Sequence, residues 1–186
     1  MAEEGQVTTD ELDPQAEATR RLALAQIRQY PDPVLRLKAQ EVETFDGDLA
    51  QLVERMTRLM QDARGVGLAA TQVGILRRVL VLQVDDEEEP RVLVNPVILD
   101  RSEETEEDTE GCLSLQGVVI PVERAVSLRV EARDAGGEPV ELELEGLAAR
   151  VAQHEVDHLD GVLIVDRTTP EGRREALAVL RQAAVR

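Results

Sequence analysis

Two histidines, His154 and His158, stand four residues apart in the run Gln153-His154-Glu155-Val156-Asp157-His158. On a helix this spacing puts both rings on one face, where they can hold one metal ion together. Glu155 lies beside them, placed to take a proton from water held at that ion. The chain has only these two histidines, whereas a catalytic metal usually takes three protein ligands and keeps one position open. The third ligand must therefore be a carboxylate or the single cysteine, Cys112. A plainer reading competes: such histidine pairs arise by chance, and a lone cysteine is more often a small buried hydrophobe.

The elements that must position these groups fit in one domain, since 186 residues suffice for a sizeable core. The apolar residues are almost all aliphatic; Tyr30 and Phe45 are the only aromatics, so no platform for stacking bases exists. A net charge of −17 would also repel a phosphate backbone, which argues against direct DNA binding. One cysteine forms no internal disulfide, no apolar run is long enough to cross a bilayer, and the start Ala2-Glu3-Glu4-Gly5 is unlike a secretory or transit signal. A cytoplasmic protein with no membrane partner is the expectation.

Residues 1–20 are polar and acidic and read as a flexible extension, with a helical turn near Thr19 at most. Residues 21–186 form a single catalytic domain. Tyr30-Pro31-Asp32-Pro33 is a turn. A helix capped by Asp46 or Asp48 carries Leu49, Leu52, Val53, Met56, Leu59, Met60 and Ala63 at helical spacing, and Gly65 stops it. Strands are predicted over Val79–Val84, Arg91–Val97, Val118–Pro121, Val126–Ala132 and Pro139–Leu144, the last two joined through Gly136-Gly137. The acidic stretch Asp100–Glu110 reads as a solvated loop. The histidine helix runs from Leu147 to Leu159 and ends at Gly161, Val162–Val165 is a short strand, and Pro170 opens a C-terminal helix over 170–186. Strands in the middle and helices at the margins predict an α+β fold: mostly antiparallel strands around a central metal-binding helix, with an N-terminal and a C-terminal helix.

Three segments give these residues a more specific meaning. Gly65-Val66-Gly67-Leu68-Ala69-Ala70-Thr71-Gln72, Glu110-Gly111-Cys112-Leu113-Ser114-Leu115 and Gln153-His154-Glu155-Val156-Asp157-His158-Leu159-Asp160-Gly161, in this order and at these separations, resemble the three signature motifs of peptide deformylase. The resemblance runs from about Leu24 to Arg167 and includes the Tyr-Pro-Asp-Pro turn and Asn95-Pro96. It implies a metal-dependent hydrolase that removes the formyl group from the N-terminal formylmethionine of newly synthesised polypeptides and releases formate. By position it implies Cys112, His154 and His158 as metal ligands and Glu155 as general acid/base. It implies Gln72 and the Leu113 backbone N–H as oxyanion donors, Gly67 as a backbone partner of bound peptide, and Val66 as a wall of the methionine pocket. The implied cofactor is one divalent metal, Fe2+ in the cell; cysteine and histidine also suit Zn2+, Ni2+ and Co2+.

The chain departs from the family's habits at Gln116, where proline is common. Val122-Glu123-Arg124 looks like the segment that carries a substrate-contacting arginine, with a surface arginine on a strand as the alternative. Glu110 either supports the site by a hydrogen bond or is a loop carboxylate in water. Between Arg167 and Arg186 five arginines face two glutamates, and helices of this kind in the family can touch the ribosome. An amphipathic helix packed on the core is the preferred reading. Two rivals follow from the same residues: a metallopeptidase taking Glu171 or Glu175 as third ligand, and a non-catalytic peptide-binding relative.

Overall fold

A computed structural model describes residues 13–86 and 88–184. Its elements are α1 (Pro14–Leu24), α2 (Gly47–Asp62), β1 (Gly67–Ala69), β2 (Val79–Leu82), β3 (Arg91–Arg101), β4 (Thr105–Glu110), β5 (Ile120–Ala125), β6 (Ser127–Arg133), β7 (Pro139–Glu145), α3 (Gly146–Leu159) and α4 (Pro170–Ala183). The α+β expectation is met: every strand pairing is antiparallel, in a five-stranded sheet of order β1-β2-β3-β6-β7 and a separate β4-β5 ribbon.

The sheet has helices on both faces, and β2 shows why. Val79 and Val81 face one core with Leu49, Met56, Leu59 and Met60 of α2; Leu80 and Leu82 face a second core with Ala149, Ala152 and Leu159 of α3. Alternate residues of a strand point to opposite faces, so a strand covered on both sides reads as an unbroken apolar run. A third core joins β5 to Leu163, Ile164, Val165 and Ala176 of α4. Helix α3 thus lies between the sheet and the β4-β5 ribbon, and ten of its residues are buried. Asp46, not Asp48, caps α2, its side chain accepting from the Leu49 N–H at 3.1 Å.

Five sequence expectations are corrected. Residues 1–12 of the predicted extension lie outside the described residues, but from Pro14 onward the chain is helix, capped by Asp13 and docked through buried Ala23. Asp-Pro at the N-cap and first helical positions accounts for that start. Asp100–Glu110 is not a loop: β3 runs to Arg101, and β4 pairs with β5 residue by residue from Thr105 to Glu110. Only Glu110 of β4 is buried, so no apolar alternation marks that strand. The strand predicted over Val118–Pro121 begins at Ile120 and continues to Ala125. The predicted short strand Val162–Val165 is instead a 3-10 turn, Ile164–Asp166. Helix α2 ends at Asp62, with Arg64 rather than Gly65 taking the left-handed backbone (φ 57°). Gly161 follows α3 with φ 73°, and a Cβ there would fall 2.5 Å from the Arg36 carbonyl oxygen.

Candidate active site

Helix α3 brings His154 and His158 to one face, with ring centroids 5.0 Å apart. Cys112, two residues after β4 ends, meets them from the opposite side: its Sγ is 3.3 Å from His158 Nε2, and one donor atom from each of the three residues lies within 4.8 Å of the others. His154 Nδ1 is 2.9 Å from Glu110 Oε2, which leaves Nε2 for a cation. Burial opposes charge on His154, yet hydrogen bonds to Cys112 and Glu110 and the nearby Glu155 hold its pKa well above the ordinary imidazole value. Burial, then the charge of His154, pushes His158 well below that value. Glu155 is buried beside the triplet, and burial raises its pKa to about 7 against the pull of His154. Its Oε2 and His158 Nδ1 are buried without a hydrogen-bond partner among the described residues. An ion with its water would give the carboxylate oxygen a partner, so the donor set fits a metal.

Arg124 does not line the cavity that holds Cys112, His154 and Glu155, and it is no surface arginine. It is 6 % exposed, and its Nε and Nη2 grip both oxygens of Glu110 at 2.9 and 3.0 Å while Nη1 reaches Asp157 at 2.6 Å. Burial opposes its charge, but Glu110 and Asp157 raise its pKa all the same. Arg150, whose role sequence reasoning missed, adds a contact to Glu110 at 2.9 Å and donates to the carbonyls of Val122 and Glu106. Glu110 is therefore not a loop carboxylate in water but a buried one facing two guanidiniums and the imidazole of His154. Burial works to raise its pKa, but hydrogen bonds from His154 and Arg124 prevail and hold it at about 2. Gln153, also missed, clasps the end of β5, donating to the Ala125 carbonyl at 2.9 Å and accepting from its N–H at 3.2 Å. One signal existed: polar residues within an almost wholly buried helix need partners.

The remaining predicted residues line one cavity of about 390 Å³ with Cys112, His154 and Glu155. Gln72 is fixed at both ends: its Oε1 accepts from the Ala69 N–H at 2.8 Å, and its Nε2 donates to Ser114 Oγ at 3.1 Å and lies 3.8 Å from Cys112 Sγ. Leu113 sits on the same wall, its carbonyl accepting from Gln29 and Gln116 at 2.8 Å each. Gln116 thus braces the cysteine turn where proline was the family habit. Val66 and Gly67 form the facing wall. A Cβ on Gly67 would fall 2.5 Å from Glu155 Oε1 and 2.7 Å from Val151 Cγ1, so β1 approaches α3 this closely only with glycine there.

An α+β scaffold that holds a cysteine sulfur and two imidazoles beside a buried carboxyl group, at the end of a largely apolar cavity, has the parts of a mononuclear metallohydrolase. The sequence pattern of the polypeptide deformylase family matches residues 24–174. The peptide deformylase of Chromohalobacter salexigens is 46 % identical over 157 residues, covering 84 % of this chain and 92 % of that one. That of Thermotoga maritima is 48 % identical over 147 residues, 79 % of this chain and 88 % of that one. The crystal structure of a peptide deformylase from Legionella pneumophila superposes with a TM-score of 0.81 at 43 % identity, over 85 % of this chain and 94 % of that one. The chain belongs to the polypeptide deformylase family, and so is a metal-dependent hydrolase whose reaction is deformylation.

Proposed function

We propose that the chain removes the formyl group from N-formylmethionyl nascent peptides with Glu155 as general acid/base and Cys112, His154 and His158 as the metal ligands. The observation that carries this reading is the convergence of the single cysteine and both histidines around one point beside a buried carboxylate. A divalent metal held there would polarise the formyl carbonyl and acidify a water. Glu155 would take the proton of that water through Oε2 as the water oxygen bonds to the formyl carbon, and would return it to the amine nitrogen as the C–N bond breaks and formate leaves. The N–H of Gln72 that points at Cys112 Sγ would turn to the oxyanion together with the backbone N–H of Leu113, each donor being worth roughly 3 kcal/mol of barrier. Strand β1 is at the sheet edge, and Gly65, Val66 and Gly67 line the cavity, so a peptide can add to it as a strand. Val66, Leu147 and Val151 suit a methionine side chain.

The ion in the cell is ferrous iron on this reading, and residence is cytoplasmic; none of the described helices is long and apolar enough to cross a membrane. Protein purified without oxygen is expected to carry iron and to release formate from formyl-Met-Ala-Ser but no acetate from its acetylated counterpart. Cys112→Ser is expected to lose both metal and activity. A Cys112→Ser protein with full metal content would favour the metallopeptidase rival, although Glu171 of that rival lies outside the ligand cluster with its side chain 83 % exposed.

Ribosome contact through α4 rests on its charge. Ala176 packs the helix on the core, while Arg174 and Arg181 stay exposed. Truncation before Thr169 is expected to weaken co-sedimentation with ribosomes while formyl-Met-Ala-Ser hydrolysis persists; unchanged co-sedimentation would leave α4 a packing element only.

A further inference from the structure

The mouth of the cavity carries two arginines that the chemistry above does not use. Arg20 comes from α1 and Arg64 from the turn after α2, and both line the cavity that holds Cys112, His154 and Glu155. Arg20 lies before the stretch that matches the family, residues 24–174. It is aimed by packing: Ala23 and Leu24, three and four residues on, share its helix face, and Ala23 is buried against α2. The side chain of Arg20 is accordingly 34 % exposed where that of its neighbour Arg21 is 78 % exposed. Its sole ion pair among the described residues is a long one, 3.8 Å to Glu17. Arg64 forms no ion pair among the described residues, although it also borders a second cavity edged by Asp85 and Asp86.

These charges stand out against their setting. The chain holds 38 acidic and 21 basic residues, yet among the described residues the only acidic groups lining the cavity are Glu110 and Glu155. Glu110 is neutralised by Arg124 and Arg150, and Glu155 is buried at the far end beside the metal ligands. The rest of the mouth is uncharged and partly apolar, with Val66, Val119 and Leu147 exposed. A peptide whose formyl end sits at Glu155 and whose backbone follows β1 shares its cavity with Arg64 and Arg20.

We infer that Arg20 and Arg64 make a cationic rim that selects formylated peptides carrying carboxylates a few residues downstream of the methionine. The inference rests on the deformylase reading. An acidic side chain and the free C-terminus of a short peptide offer the same carboxylate, so the test uses C-terminal amides to separate the two sources. At low ionic strength, kcat/KM is measured for formyl-Met-Ala-Asp-Asp-amide and formyl-Met-Ala-Lys-Lys-amide, with formyl-Met-Ala-Ser-Ser carried as both free acid and amide. Binding of the matching acetylated peptides is measured alongside and needs no turnover.

The wild type is expected to favour the Asp over the Lys peptide by about ten-fold, mostly through KM, with about three-fold from each arginine. Half-molar salt should compress the ratio. The pair Arg20→Ala, Arg64→Ala should bring it close to one, and Arg20→Lys with Arg64→Lys should restore most of it. Loss of fold or of the catalytic centre would lower both rates together, so it cannot by itself bring the ratio to one. A wild type with no Asp-over-Lys preference, or one whose preference survives both alanines, overturns the inference. A preference for the free acid over the amide, with no preference for Asp, would assign the rim to chain ends and also overturn it. A protein that binds acetylated Asp peptides preferentially yet releases no formate would sink the deformylase reading and leave the rim standing.

Discussion

Glu155→Gln is expected to lower kcat for formyl-Met-Ala-Ser by roughly 10²–10⁴-fold while metal content stays that of the wild type. Glutamine keeps the size and the hydrogen-bonding reach of the side chain, and it leaves Cys112, His154 and His158 untouched. It cannot accept the proton, so loss of turnover with retained metal separates a base from a structural carboxylate. The acid–base chemistry adds a signature. Burial holds the Glu155 carboxyl at about 7, against an ordinary 4.5, so the fold favours its protonated form. The stability this gives the metal-free protein is intact below about pH 4.5 and is lost as pH rises through about 7. Metal-free Glu155→Gln, always neutral, should therefore melt at a higher temperature than metal-free wild type at pH 8, and the difference should vanish at pH 4. A bound dication favours the carboxylate, which puts the acid limb of the wild-type rate at or below about pH 7. A Glu155→Gln enzyme that kept its turnover would end the assignment of this residue as base.

The residues of the candidate site were legible because their types are scarce and local. His154, Glu155 and His158 share one helix, and with two histidines and one cysteine in the chain few ligand sets were open. Helix α2 was legible from its apolar period, and β2 from its unbroken apolar run. What escaped was structure whose partners are remote in sequence or whose surroundings are water on both sides. Strand β4 has five exposed residues in six, so its partner β5 is what makes it a strand. Helix α1 carried a readable start at Asp13-Pro14, but a polar composition hid it. Arg124 was misread because a charged residue in a strand is ordinarily at the surface. Its partners lie 14 and 33 positions away, at Glu110 and Asp157, and the Arg150–Glu110 contact spans 40. Spacing rules for helices and strands do not reach that far.

Those remote contacts carry the other large expected effect. Arg124→Met should destabilise the protein by about 3–5 kcal/mol in urea unfolding, more than any single surface charge would. The arginine is buried between two carboxylates, and removing it deprives Glu110 of two of its four contacts and Asp157 of one. Asp157 keeps Arg167, which grips both its oxygens from the surface side, so the larger loss falls on Glu110. Glu110 orients His154, so metal affinity should fall by about 10–100-fold as well. Arg124→Lys keeps the charge but not the two-pronged grip, and should lie between the two. The pH dependence discriminates a lost ion pair from lost packing. Glu110, held at about 2, contributes stability that is present above its ordinary 4.5 and is lost as pH falls through about 2. With Arg124 gone that contribution shrinks, so the gap between wild type and Arg124→Met should narrow as pH falls from 5 to 2. A gap that stays constant across this range would assign the cost to packing alone, and an Arg124→Met protein that unfolds like wild type would mean that Glu110 is held by His154 and Arg150 without it.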